Sequence, residues 1–210
     1  MKLMTSITIV SLNALAACQS TGSQTSSPTV NDLQRLNVEL VDGQTSVRRV
    51  ATTLDALAEK GGNLDAEFTA YSDAVDDVAS MAERVHSIRQ RLAESSQLYL
   101  RDWQDSSASI RNANLKTRST ARRDAVAADF DGLRSGGDGL RSEFDALLLG
   151  LTDTRKYLAF DLNPSGVASM QGDLGSLKTH ADELDEHMGS FVSELNELMA
   201  AIAVPATAGA

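Results

Sequence analysis

Residues 167–202 read VASMQGDLGSLKTHADELDEHMGSFVSELNELMAAI. Val167, Met170, Leu174, Leu177, Ala181, Leu184, Met188, Phe191, Leu195, Leu198 and Ile202 recur there at steps of three and four. An α-helix turns once every 3.6 residues, so this spacing holds all of them on one narrow stripe. The positions between are mostly Asp, Glu, Ser, Lys and His, which suit water. A stripe this narrow is a heptad-type seam, and it must be buried against other helices.

The same period appears upstream. Leu33, Leu36, Leu40, Gly43, Val47, Val50, Leu54 and Leu57 form a first seam, with Gly43 its one gap. Gly61-Gly62-Asn63 then ends one helix and caps the next, with Asp65 and Glu67 suited to the new helix dipole. A second seam runs Leu64, Phe68, Tyr71, Val75, Val78, then Met81, Val85, Ile88, Leu92, Tyr99 and Trp103. Its step from Val78 to Met81 reads as a stammer. The pattern fades between Ser106 and Thr120. It resumes with Val126, Phe130, Leu133, Gly137, Leu140, Phe144, Leu147, Leu151, Thr154 and Leu158. Gly136-Gly137-Asp138-Gly139 sits inside this third seam, at roughly 1 kcal/mol per glycine. It signals either a close approach by another backbone or a kink. Leu162-Asn163-Pro164 closes the third segment, the Asn as cap and the Pro suited to a first helical turn.

The bulk composition agrees. Hydrophobic residues make up 42% of the 210, which argues against disorder, and aromatics only 4%, which gives a sheet little support. The net charge of -10 makes nucleic acid a poor partner. Segments of this length reach roughly 60–70 Å, and short connections make sequence neighbours antiparallel. The expected fold is all-α, an elongated antiparallel up-down four-helix bundle with coiled-coil-like seams over residues 30–203, with a frayed end at 204–210.

The N-terminus reads as an address. Residues 1–17, MKLMTSITIVSLNALAA, carry one Lys and then an apolar run too short and interrupted for a stable span. They fit a cleavable signal peptide. Leu15-Ala16-Ala17-Cys18 resembles the bacterial lipobox, and Cys18 is the sole cysteine of the chain. That resemblance implies lipidation at Cys18, where two or three acyl chains give stable anchoring. Gln19 follows, which by the enterobacterial sorting rule favours the outer membrane. Residues 18–29 lack apolar periodicity and read as a flexible tether. The expected place is the cell envelope, on the periplasmic side, with an outer-membrane anchor.

Three stretches carry a wider resemblance: GGNLDAEF at Gly61–Phe68, LYLRDWQDSSASIRNANLKTR at Leu98–Arg118, and YLAFDLNPSGVASMQ at Tyr157–Gln171. In order and spacing the chain resembles a bacterial family filed as domain of unknown function 2959, exported helical proteins rich in coiled coil. The resemblance supports the fold and the export. It implies no enzyme activity, cofactor or defined partner. Gly136–Gly139 departs from the more charged sequence expected there.

Few residues suggest chemistry. His180, Glu183, Glu186 and His187 lie close along the last segment, but the Glu-x-x-His spacing of a di-iron bundle is absent. The two histidines read as flank residues making surface pairs. With no strand pattern, Gly136–Gly139 is no phosphate cradle. No catalytic site, cofactor or metal is expected. The distinctive feature is a basic cluster: Arg111, Lys116, Arg118, Arg122 and Arg123, with no acid between Asp105 and Asp124. Cations at a helix start oppose its dipole, so local stability does not explain them. The expected topology puts this connection at the end that carries Cys18, with Tyr99 and Trp103 nearby. A contact with anionic headgroups or another envelope polyanion is one reading, and a solvated turn paired to acidic flanks is the other. The expected function is a membrane-anchored, non-enzymatic envelope protein with a structural or protein-interaction role. The alternatives are a periplasmic holdase-like or regulatory binding protein and, more remotely, a metal-binding redox protein using His180 and His187. An envelope protein partner fits either of the first two, and the oligomeric state is open.

Overall fold

The computed structural model describes residues 21–59 and 63–202, with side chains from Pro28 onward. The leader expected at residues 1–17, Cys18, Gly61-Gly62 and residues 204–210 lie outside the described residues. The described chain is all-α, with no strand among its elements. Helix α1 spans Thr21–Ala58, α2 Leu64–Ala108, α3 Ala113–Phe160, α4 Pro164–Ser169 and α5 Gln171–Ile202. At 1.5 Å per residue, the 48 residues of α3 extend about 70 Å.

Helices α2, α3 and α4 each start at an asparagine cap. Asn63 accepts from the Ala66 N–H at 3.4 Å, and Asn112 accepts from that of Leu115 at 3.1 Å. Asn163 accepts from both Ser165 and Gly166 at 3.0 Å, ahead of Pro164 at the first turn. These side chains satisfy amides that the first helical turn leaves without partners.

Four long helices were expected, and five helices are present among the described residues. The difference is the short α4. Met170 donates its N–H to the Val167 carbonyl at 3.0 Å, a tightened turn, and α5 restarts at Gln171. The tightening leaves the seam in phase, because Val167, Met170 and Leu174 still face inward. Periodicity therefore ran through the break without registering it.

α1 packs against α2 and α5, and α3 packs against the same two helices. Every one of these pairs runs antiparallel. Along α1 and α2, Thr29 bonds Ser95, Glu39 pairs with Arg84, and Arg49 pairs with Asp77. Along α1 and α5, Asn37 meets Asn196, Arg48 meets Asp185, and the Ala58 carbonyl accepts from Gln171. On the other side, Trp103 bonds Ser119, Arg155 pairs with Asp76, and Glu143 bonds His187. The α1 interfaces are more extensive than those of α3.

The core is the seam set. Every α1 seam residue is buried, Gly43 included. So is every α5 seam residue from Leu174 to Ile202. The α3 seam is buried from Val126 to Leu158. The α2 seam is buried from Tyr71 to Leu92 except at half-buried Val85, with Leu64, Phe68, Tyr99 and Trp103 also half-buried at its ends. The Tyr71 hydroxyl sits in this core and donates to the Leu151 carbonyl at 2.7 Å. Burial raises the Tyr71 pKa far above that of a free phenol.

Two further expectations change. The tether reading of residues 18–29 gives way to helix from Thr21 onward. Thr29 is fully buried and bonds across to α2, and Val30 packs on the core, so docking begins one turn before Leu33. The glycine run at 136–139 does not interrupt α3. The approach there is by side chains and not by a backbone: a Cβ on Gly137 would stand 3.0 Å from the Arg89 Nε, and one on Gly136 3.4 Å from the Phe191 ring.

Candidate functional site

The α2–α3 connection carries the basic cluster. Trp103 and Tyr99 fasten the two helices there. The Trp103 indole donates to the Ser119 hydroxyl at 3.0 Å, and Ser107 shares a hydrogen bond with the same oxygen at 2.6 Å. The Tyr99 and Trp103 rings meet at 5.6 Å with a tilt of 54°. Partial burial raises the Tyr99 pKa, against the lowering influence of Arg122. These aromatics hold the hairpin shut; the Trp103 N–H is already committed inside it.

The hairpin outruns its neighbours. Arg122 donates to the carbonyl of Ala201 at 2.6 Å, one residue before α5 ends, so α3 residues 113–121 extend past α5. Ser95 is opposite Thr29, and α2 continues to Ala108 while α1 begins at Thr21. The hairpin thus reaches roughly 8 Å beyond the start of α1. Every residue from Arg111 to Arg118 is exposed.

The five basic residues divide in two. Arg122 is spent on the α5 carbonyl. Arg123 pairs with Asp124 at 2.5 Å and donates to Gln104 at 2.6 Å. Lys116 reaches the Ala108 carbonyl at 3.4 Å, a long contact across the turn. Arg111 and Arg118 are exposed and make no hydrogen bond or ion pair with the described residues. No acid stands in the first turn of α3, so the helix dipole adds to this positive end. Leu115, 54% exposed, and half-buried Ile110 lie among these cations.

The domain-of-unknown-function model 2959, described as a protein of unknown function, matches residues 17–202. The chain belongs to this family. It has no match among curated proteins or among solved structures. All three stretches that carried the resemblance fall inside the match.

The histidines separate. His180 is exposed, and His187 bonds Glu143 of α3 through Nδ1 at 2.7 Å. That hydrogen bond, with the charges of Glu143, Glu183 and Glu186, raises the His187 pKa. No group of three or more His, Cys, Asp or Glu residues is arranged to hold a metal ion among the described residues. No helix among them is long and apolar enough to cross a membrane. Arg89 escaped the sequence reading. It crosses from α2 to Asp138 of α3 at 2.6 Å, over the space left by Gly137. A glycine inside a seam was its one signal.

Proposed function

We propose that the protein is a membrane-anchored lipoprotein of the cell envelope with a non-enzymatic structural or protein-interaction role. Its working form is an elongated up-down four-helix bundle with coiled-coil-like seams, α4 serving as the lead-in to α5. Lipid on Cys18 holds it to the membrane, and the α2–α3 hairpin faces the headgroups. The observation that carries this reading is co-location. The exposed cations Arg111, Lys116 and Arg118 lie at the same end as the start of α1. Cys18 precedes Thr21 by three residues, at most about 10 Å of chain. A lipid there keeps the basic tip within reach of the surface. Cations with Leu115 and Ile110 beside them suit an anionic interface, where charge attracts and apolar side chains enter.

Two tests bear on it. Full chain carrying Cys18→Ser should lose palmitate labelling; labelling that persists sinks the anchor. The same unlipidated protein should float with vesicles rich in phosphatidylglycerol. Arg111→Glu, Lys116→Glu and Arg118→Glu together should abolish flotation. Equal flotation with and without these changes, or none in either case, sinks the hairpin reading.

A further inference from the structure

The α2–α3 interface is open along its middle. Two cavities of about 490 and 350 Å³ adjoin there, both bordered by His86, Arg89, Arg141 and Phe191. Each lies in the range of about 300–1,000 Å³ usual for small-molecule sites, which in bundles form between helices. Together they make a trough along the helix direction. Its walls are Leu40, Met81 and Phe144 in one part, and Leu36, Leu92 and Phe130 in the other.

The polar groups stand at the lip. Arg134, Arg141, Asp138, Asp145 and Asp131 line it from α3, and Glu83, His86 and Arg89 from α2. Arg134 and Arg141 are largely exposed and pair with Asp131 and Asp145 within their own helix. Arg89 differs. Its side chain is only 17% exposed, while its partner Asp138 is 69% exposed. Of five guanidinium donors, one is spent on Asp138, and no other Arg89 hydrogen bond is made with the described residues. A cation drawn partly out of water with donors unspent calls for an anion.

We propose that this trough binds a single-chain anionic amphiphile, a long-chain carboxylate, with its alkyl chain along the apolar walls and its head on the Arg89 guanidinium. The Arg89–Asp138 pair bridges α2 and α3 where the two cavities adjoin. The apolar walls suit methylenes, whose burial drives binding. The proposal is independent of lipid on Cys18.

The test uses full-length protein carrying Cys18→Ser, titrated calorimetrically with sodium palmitate below its micelle concentration. One palmitate per chain should bind saturably, at least tenfold tighter than hexadecanol. Arg89→Gln should erase that preference and leave hexadecanol binding unchanged. Ala82→Phe and Ala93→Phe, which fill the two parts of the trough, should each weaken palmitate at least tenfold. Helical content and urea midpoints, compared with wild type, show that each variant is folded; Arg89→Gln alters no apolar wall and stands as the test if a filling variant fails. Absence of saturable binding, equal affinity for palmitate and hexadecanol, many chains per protein, or preference for a two-chain phosphatidylglycerol would each overturn the proposal.

Discussion

Gly43 offers the sharpest test of how the core is packed. It is the one gap in the α1 seam, and it is buried. Met81 of α2 and Met188 of α5, both essentially inaccessible, fill the place its side chain would take. A Cβ at Gly43 would stand 2.9 Å from the Met81 Cε and Sδ and 3.0 Å from the Met188 Cε. Both neighbours are the far ends of flexible thioethers, which yield by rotation. Gly43→Ala gains about 1 kcal/mol of helix propensity, and moving a Met off its rotamer costs about 0.5–1.5 kcal/mol. The expected net change is within about 0.5 kcal/mol of zero. Gly43→Leu has no such escape, and overpacking should destabilise by about 1–3 kcal/mol. Met81→Ala alone should cost about 2–5 kcal/mol through the cavity it leaves. In the double variant the leucine enters that cavity, so the two costs should fall short of their sum by at least about 1 kcal/mol. Urea unfolding of the full chain, followed by circular dichroism at constant m-value, measures all four. A neutral Gly43→Leu, or strict additivity in the double variant, would show that the two methionines do not fill the Gly43 layer.

Three other outcomes follow from the packing and charge. Tyr71→Phe removes only the hydrogen bond to the Leu151 carbonyl and should cost about 1 kcal/mol in the same unfolding assay, while Tyr71→Ala should cost about 3–5 kcal/mol. Gly139→Ala meets nothing within 4 Å and should stabilise by about 1 kcal/mol; Gly137→Ala presses on the Arg89 guanidinium and should gain less, with the difference vanishing in Arg89→Ala protein. His187 should titrate above its ordinary value of 6.5 by nuclear magnetic resonance, and Glu143→Gln should bring the midpoint down. Because the folded form holds the proton more tightly, this pair stabilises fully below pH 6.5, and its contribution fades as pH rises through the folded midpoint. A midpoint unmoved by Glu143→Gln would mean that the pair does not form in solution.

The seams were legible because a three-four spacing leaves a helix one apolar face, whatever that face meets. The stretch from Val167 to Ile202 therefore declared its buried residues, and so did the first and third seams. The Asn63 and Asn163 caps were legible for a similar reason, since their chemistry is complete within a few residues. The basic run at Arg111–Arg123 was visible as composition, but its division into spent and exposed cations was not. Arg122 ends on a carbonyl of α5, and Arg118 ends in water. The start of α1 was misread because Thr21–Thr29 has no apolar stripe; among the side chains described there, the Thr29 hydroxyl bonds across to Ser95.

Sequence by itself thus determined the class of the fold, most of its core and the basic end. Periodicity is a property of one helix, and it carries these. Only the tertiary structure decided which helices meet, at what register, and how closely. It set Arg89 over Gly137, left the trough between α2 and α3, and placed Met81 and Met188 in the gap at Gly43. These features depend on the relative height and spacing of separate helices, which no repeat within one helix encodes.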